Sequence, residues 1–248
     1  MLLPMPLAKA DVALRLFDKH GSVCAEHRFL LEPSDILIRR QRPSGTSWRY
    51  IHKGGDSRGC IDVVIVAEGY AKKDMRLFHN DAQAACDAIL SAPPFSQFAD
   101  RLNVIAVDSV SEDSGVSEPL KGIWRDTAIK SHFSTFYSDR YLTSENVHDI
   151  HDLLSGIPYE HIIILANTDT YGGGGIYNSY TLTTAHNSKF RPVVVHEFGH
   201  SFGGLADEYF YDFADALDSS YDISVSEEFQ KHSVTCVAPS KAFNIAGL

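Results

Sequence analysis

The stretch VVVHEFGHSFGG, residues 193–204, constrains both the fold and the chemistry of this chain more than any other. An apolar run leads into it and a glycine pair closes it, so the pattern predicts a buried helix that ends at Gly203–Gly204. His196 and His200 are four positions apart and therefore share one helix face, where both imidazoles can reach a single ion. Glu197 directly follows the first histidine, which places its carboxylate beside that ion.

This H-E-x-x-H pattern is typical of zinc hydrolases, most often peptidases. Zinc accepts neutral imidazole nitrogens and, at catalytic sites, keeps one tetrahedral position open for water. The sequence therefore predicts Zn²⁺ as the cofactor, with His196 and His200 as ligands and Glu197 as the catalytic acid/base. The competing interpretation is an amphipathic helix whose histidines are ordinary packed residues.

The third ligand is less well defined by the sequence. In the metzincin pattern H-E-x-x-H-x-x-G-x-x-H, the third histidine would fall at Ala206, so the chain departs from that pattern. Asp207 lies one position further and is the favoured ligand. Glu208 is the alternative, and His232 is a weaker candidate. Of Asp207 and Glu208, the residue that is not a ligand is expected to orient a ligand imidazole.

A longer stretch resembles a known family. The segments YGGGGIYNSY (171–180), TTAHN (183–187) and RPVVVHEFGHSFGGLADEY (191–209) are similar to the M64 peptidases, IgA-endopeptidase-like zinc metallopeptidases of bacteria. A weaker similarity runs from Ile61 to Tyr70. The resemblance implies that His196 and His200 bind zinc, that Glu197 is the acid/base, and that the triplet at 207–209 completes the site. It also implies an extracellular or periplasmic location, although residues 1–10 do not form the apolar core of a signal peptide.

Composition excludes several classes of partner. The chain has 248 residues, 44% of them apolar and 22% charged, as in an ordinary globular protein. Its net charge of −10 argues against nucleic acid, because phosphate binding needs basic clusters. No apolar run is long enough to cross a bilayer. The expected partner is a protein or peptide substrate, and the oligomeric state is not defined by the sequence.

The pattern of apolar residues predicts two domains. Alternating residues over 11–40 predict a small N-terminal β module at residues 1–55, followed by a glycine-rich linker at 53–59. Residues 56–248 then alternate strands at 61–67, 102–107 and 161–166 with helices at 72–91 and 144–154, where Ser144 is the expected cap. The predicted fold class is α/β (α+β): a zincin-like metallopeptidase domain with a mixed sheet and an active-site helix. The apolar end of the chain leaves open a further C-terminal segment.

The glycine run at 172–175 has two open interpretations, a flexible loop or a backbone that closely approaches substrate. Tyr177, Tyr180 and Tyr209 are candidate phenols for polarising a carbonyl, with Tyr209 the best placed. For each phenol alone, ordinary packing is favoured. His186 and Asn187 are expected to support the active-site helix.

These patterns together predict a zinc-dependent endopeptidase. Two alternatives belong to other classes: a non-catalytic zinc-containing binding module at the cell surface, and an amidase that acts on a non-protein substrate. An intact Glu197 argues against the binding module, because a structural zinc site does not need a general base.

Overall fold

The chain forms two compact units, residues 1–44 and residues 45–248, in a computed structural model that describes residues 6–38, 40, 42–135 and 141–207. The first unit contains an antiparallel hairpin of β1 (Ala10–Phe17) and β2 (Val23–Leu31). Asp18 shapes the turn between them, because its Oδ1 accepts the backbone N–H groups of His20 and Ser22 at 2.8 and 2.9 Å. These two hydrogen bonds also lower the pKa of the Asp18 carboxyl.

Two details of the N-terminal region differ from the sequence prediction. The alternation at Ile36 and Ile38 is not a strand, because these residues lie in turns where Asp35 Oδ1 accepts the Leu37 N–H at 2.9 Å. Strand β3 (Trp48–Lys53) pairs with the main sheet of the second unit. The boundary expected at residues 55–56 therefore lies inside the second unit, and residues 53–59 connect two strands of one sheet.

Among its described residues, the second unit is built on a six-stranded mixed sheet in the order β3-β5-β4-β6-β8-β7. Strands β5, β4, β6 and β8 are parallel, and β3 and β7 are antiparallel to their neighbours at the two edges. Continuous apolar runs are expected in parallel strands, since helices and loops cover both faces. The bounds are β4 (Ile61–Glu68), β5 (Leu102–Val107), β6 (His161–Ala166), β7 (Gly173–Gly175) and β8 (Thr181–Thr184).

Successive residues of β4 face two separate cores. Ile65 belongs to the core covered by helices α1 (Met75–Ser91) and α3 (Phe190–Gly203). Val66 belongs to the core covered by α2 (Val147–Leu153) and the chain around Ile129. The unit is thus a sheet with α1 and α3 on one face and α2 on the other. Among the described residues, no helix combines the length and apolar composition needed to cross a bilayer.

The predicted elements over 61–67, 72–91, 102–107 and 161–166 are confirmed, but the predicted cap of α2 is wrong. Helix α2 begins at Val147, and the residue that precedes it is Asn146. The Ser144 hydroxyl instead donates to the carbonyl of Ile129 at 2.6 Å. Ser144 therefore ties the start of this region to the loop before it.

A buried carboxylate organises the loop over the second face of the sheet. Glu68, the last residue of β4, is fully buried. Its carboxylate accepts the Thr127 hydroxyl at 2.6 Å and the N–H groups of Ile129 and Ser131 at 2.9 and 2.8 Å. Because buried donors need acceptors, this carboxylate fixes the conformation of residues 127–131.

We expect Glu68→Ala to lower the free energy of unfolding by about 3 kcal/mol or more, because three buried donors lose their acceptor. Urea unfolding of the purified chain measures the change. Glu112→Ala, at an exposed position, is the control and should change stability by no more than about 0.5 kcal/mol. Equal effects of the two substitutions would contradict this role of Glu68.

The stability of the second unit should also fall at mildly acidic pH, through His161. Its ring lies 4.5 Å from the ring of Phe202 on α3, and burial lowers its pKa below 6.5. The unfolded chain therefore binds a proton more readily than the folded chain, so this stabilisation is present above pH 6.5 and is lost as the pH falls towards the folded pKa. His161→Gln should reduce the drop in unfolding midpoint between about pH 7.5 and pH 5.5. His20→Gln, at an exposed position, is the control and should leave the drop in unfolding midpoint unaltered.

Candidate active site

Helix α3 is held at its start by residues that precede it. The Asn187 side chain accepts the Lys189 N–H at 3.0 Å, and its carbonyl accepts the Phe190 N–H at 3.0 Å. His186 Nε2 lies 2.8 Å from Asp81 Oδ2 on α1. His186 and Asn187 thus support the helix, as the sequence predicts.

The carboxylate of Asp81 has a second partner in the core. The Tyr70 hydroxyl donates to Asp81 Oδ2 at 2.8 Å. Burial holds the pKa of Tyr70 far above its ordinary value, so the phenol keeps its proton and remains a donor. This network of Tyr70, Asp81 and His186 joins α1 to the loop before α3, and no spacing in the sequence indicated it.

The opposite side of α3 is fastened to β8. Val194 and Phe198 are fully buried in the core between the sheet and the two long helices. Ser201 Oγ lies 2.5 Å from Thr181 Oγ1, which also donates to the Glu197 carbonyl at 3.3 Å. The helix therefore presents its other face, which carries His196 and His200, away from the core.

Three polar atoms meet on this outer face of α3. The Nε2 atoms of His196 and His200 are 3.3 Å apart. Asp207 Oδ1 lies 3.4 Å from His196 Nε2 and 3.2 Å from His200 Nε2. The structure thus brings together the three residues that the sequence proposed as ligands.

The spacing of these atoms fits a small tetrahedral ion. Zinc bonds of about 2.0–2.1 Å place the ligand atoms of a tetrahedral site about 3.3–3.4 Å apart. The three distances between His196, His200 and Asp207 match that edge length within about 0.2 Å. Two imidazoles and one carboxylate also form a donor set that zinc accepts.

The chain after α3 accounts for the approach of Asp207. Gly204 has a left-handed φ of 63°, and its N–H donates to the His200 carbonyl at 2.9 Å. This conformation favours glycine and reverses the chain. The Leu205 side chain folds back to within 3.4 Å of the β-carbon position of Gly199. Asp207 consequently returns to the imidazoles, while Ala206 is exposed.

The same reversal orients one imidazole. His200 Nδ1 forms a short hydrogen bond with the Leu205 carbonyl. A carbonyl only accepts, so Nδ1 carries the proton and the Nε2 lone pair is directed to the cluster. The sequence did not predict this partner of His200, because a backbone carbonyl has no signature in the sequence. The acidic residue expected to orient an imidazole, Glu208, lies outside the described residues.

Glu197 lies next to the cluster. Its carboxylate and the ring nitrogens of His196 and His200 lie within 4.8 Å of one another. The carboxylate is thus close enough to exchange a proton with a group held between the imidazoles. Glu208, Tyr209 and His232 lie outside the described residues.

The last three residues of the glycine run form the edge strand β7 (Gly173–Gly175) beside this helix. A β-carbon at Gly175 would lie 2.1 Å from the Glu197 carbonyl and 2.7 Å from His200 Cβ. Strand β7 therefore packs directly on the backbone of α3 at the H-E-x-x-H segment. The run is therefore a strand rather than a flexible loop, and the close approach seen here is to the helix. An approach of this backbone to substrate stays a prediction.

The candidate tyrosines have different surroundings. Tyr180 is buried, and its hydroxyl donates to the Ser144 carbonyl at 2.7 Å and accepts the Ser144 N–H at 3.0 Å. It belongs to the core on the other face of the sheet. Tyr177 is 61% exposed, and its ring lies against Gly204 at the end of α3. Tyr177 thus remains a candidate at the rim of the site, whereas Tyr180 is a packed core residue.

The chain matches a known protein family. A family model described as IgA Peptidase M64 matches residues 50–242, and the match makes the chain a peptidase by class. Because the matched residues cover far more than half of its length, the chain belongs to the IgA Peptidase M64 family. No curated protein shows a significant match to the chain. The resemblance inferred from the residues is confirmed, and membership of a peptidase family indicates a protein or peptide substrate.

The contact between β7 and α3 predicts a difference between two neighbouring glycines. We expect Gly175→Ala to lower the free energy of unfolding by about 2 kcal/mol and to weaken metal binding, because the added methyl group collides with the Glu197 carbonyl. A β-carbon at Gly174 meets no atom within 4 Å, so Gly174→Ala is the matched control. Urea unfolding and zinc titration of both variants measure the effect. Indistinguishable variants would contradict the contact.

Proposed function

We propose that the protein is a zinc-dependent endopeptidase with a zincin-like catalytic unit. The observation that carries the proposal is the spacing of 3.2–3.4 Å among His196 Nε2, His200 Nε2 and Asp207 Oδ1. These residues would hold the zinc ion as its three protein ligands. When bound, zinc polarises the scissile carbonyl and increases the acidity of water.

Glu197 is the proposed general base and general acid. Its carboxylate takes a proton from the water molecule that attacks the peptide carbonyl carbon. The carbon–nitrogen bond then breaks, and Glu197 returns the proton to the leaving nitrogen. One residue can perform both steps because the two protons move at the same place, beside the imidazoles of His196 and His200.

His200 contributes more than a ligand atom. The Leu205 carbonyl holds the proton on Nδ1, so the ring stays in the tautomer that directs a lone pair at the cluster. The same hydrogen bond also restrains rotation of the ring. Because the acceptor is the backbone carbonyl of residue 205, this hydrogen bond does not require a particular side chain at that position.

Within the described residues no strand lies beyond β7, and this edge is the proposed substrate platform. The Ile176 N–H pairs with the Tyr180 carbonyl at 2.9 Å, and bonded and non-bonded residue pairs alternate along an antiparallel ladder. The backbone groups of Gly173 and Gly175 therefore face away from β8. A substrate that adds as a further strand extends past both ends of this short edge, as internal cleavage requires.

The first experiment compares the wild type with Glu197→Gln for zinc content and for casein cleavage. We expect one zinc per chain in both, and a loss of cleavage of about 10²–10⁴-fold in the variant, because the base is gone while the ligands remain. His200→Ala is the companion variant and should lose zinc as well as activity. Full activity of Glu197→Gln would contradict the role of Glu197 as the general base.

The same experiment separates the alternatives. Zinc in both proteins without cleavage of casein or small amides would favour a binding module. Cleavage of small amides alone would favour an amidase on a non-protein substrate.

A further inference from the structure

A second concave surface lies on the other face of the sheet. It is an open cavity of about 440 Å³ lined by Ser117, Trp124, Arg125, Asp126, Lys130 and His132, called here the Trp124 pocket. The loop that lines it packs through Ile129 on the core of Val66. Helix α3 covers the opposite core, so the Trp124 pocket is separate from the candidate zinc site.

One wall of the pocket is built on the buried carboxylate of Glu68. Thr127, Ile129 and Ser131 bond to that carboxylate and are buried. Lys130 lies between two of these inward residues, is exposed, and has a positive φ of 57°. Asp126, Lys130 and His132 alternate with the buried residues and line the cavity. The hydrogen bonds to Glu68 fix the backbone that carries them.

The second wall is tied to the first through Ser117. The Ser117 hydroxyl accepts the Arg125 N–H at 2.9 Å, and its carbonyl accepts the Phe133 N–H at 3.0 Å. These bonds hold the segment with Trp124 and Arg125 beside the segment with Lys130 and His132. The pocket is thus formed before any ligand arrives, which lowers the entropic cost of binding.

The lining combines two cations with an exposed aromatic ring. Arg125 and Lys130 form no ion pair with any residue in the described part of the chain. Trp124 is 71% exposed, so its indole is available to apolar groups. In a chain with a net charge of −10, this local pair of cations is an exception that favours an anionic ligand.

Asp126 narrows the class of that ligand. Its carboxylate lines the same cavity and would repel a continuous polyanion, such as an acidic polysaccharide. A peptide offers backbone N–H groups to Asp126 as well as carboxylates to Arg125 and Lys130. The charge pattern therefore favours an acidic peptide segment with a neighbouring apolar side chain.

We propose that the Trp124 pocket is an exosite that binds an acidic segment of the protein substrate, away from the bond that is cleaved. This inference rests on the proposed peptidase function. Carboxylates of the substrate pair with Arg125 and Lys130, and an apolar side chain packs on Trp124. The pocket thereby adds to substrate affinity without taking part in the chemistry.

The test measures binding without requiring cleavage. The full chain carrying Glu197→Gln is titrated with a labelled short peptide in which glutamates flank a phenylalanine, and with the same peptide carrying glutamines. Fluorescence polarisation should show tighter binding of the acidic peptide, weakened by added salt. Lys130→Gln and Arg125→Gln should each raise its Kd about three- to tenfold. Urea unfolding verifies that both variants fold.

Lys121→Gln is the matched control. This lysine lies in the same loop but outside the pocket, is exposed, and pairs with Glu118 at 2.5 Å. Its substitution should leave the Kd unchanged. Equal binding of the two peptides, unchanged Kd in the pocket variants, or stronger competition by polygalacturonate than by the peptide would overturn the proposal.

Cleavage assays of otherwise wild-type protein distinguish the two hypotheses. A substrate with an appended acidic segment should show a lower KM than the untagged substrate, and Lys130→Gln should remove that difference without changing kcat. If casein is not cleaved while the acidic peptide still binds the pocket, the proposed zinc-dependent endopeptidase function fails and the binding site stands.

Discussion

The contact between the backbone of β7 and the backbone of α3 is the constraint on which the candidate active site depends. Gly175 leaves no room for a β-carbon beside the Glu197 carbonyl, and the same carbonyl accepts the hydroxyl of Thr181. Thr181 is also the cross-strand partner of Gly175. Strand β7, strand β8 and helix α3 therefore all contact the Glu197 carbonyl. This contact fixes the position of the His196 and His200 imidazoles relative to the edge of the sheet.

The central strand β4 explains how the unit can carry two separate surfaces. Its residues are buried on both faces, so each face supports its own core. One core positions α3 and the cluster of His196 and His200. The other supports the loop that Glu68 fixes, and with it the Trp124 pocket. A substitution at either surface can consequently be made without direct contact to the other.

The approach of Asp207 shows how a small departure from a known ligand spacing can be accommodated. The chain has alanine where a metzincin has its third histidine, and the acidic residue comes one position later. The left-handed Gly204 reverses the chain, and the Leu205 carbonyl then accepts the Nδ1–H of His200. Two residues later, Asp207 Oδ1 lies near Nε2 of both His196 and His200. The reversal thus provides an orienting group and a candidate ligand within three residues.

Some features followed from the sequence because they depend on neighbours along the chain. Helical spacing placed His196 and His200 on one face, and the glycine pair ended the helix at Gly203, as the structure has it. The segments predicted at 61–67, 72–91, 102–107 and 161–166 likewise correspond to β4, α1, β5 and β6. The spacing also favoured Asp207 over Glu208, although Glu208 remained an alternative on sequence grounds.

Other features depended on partners distant in the chain. Strand β3 belongs to the main sheet because it pairs with β5, and Ser144 is not a cap because the Ile129 carbonyl takes its hydroxyl. Tyr180 was a candidate phenol until its bonds to Ser144 placed it in the opposite core. The sequence by itself determined the helix and the residue types of the candidate metal site, because both arise from local spacing. Only the tertiary structure decided which strand, carbonyl and core surround them, because those contacts join residues that no local pattern relates.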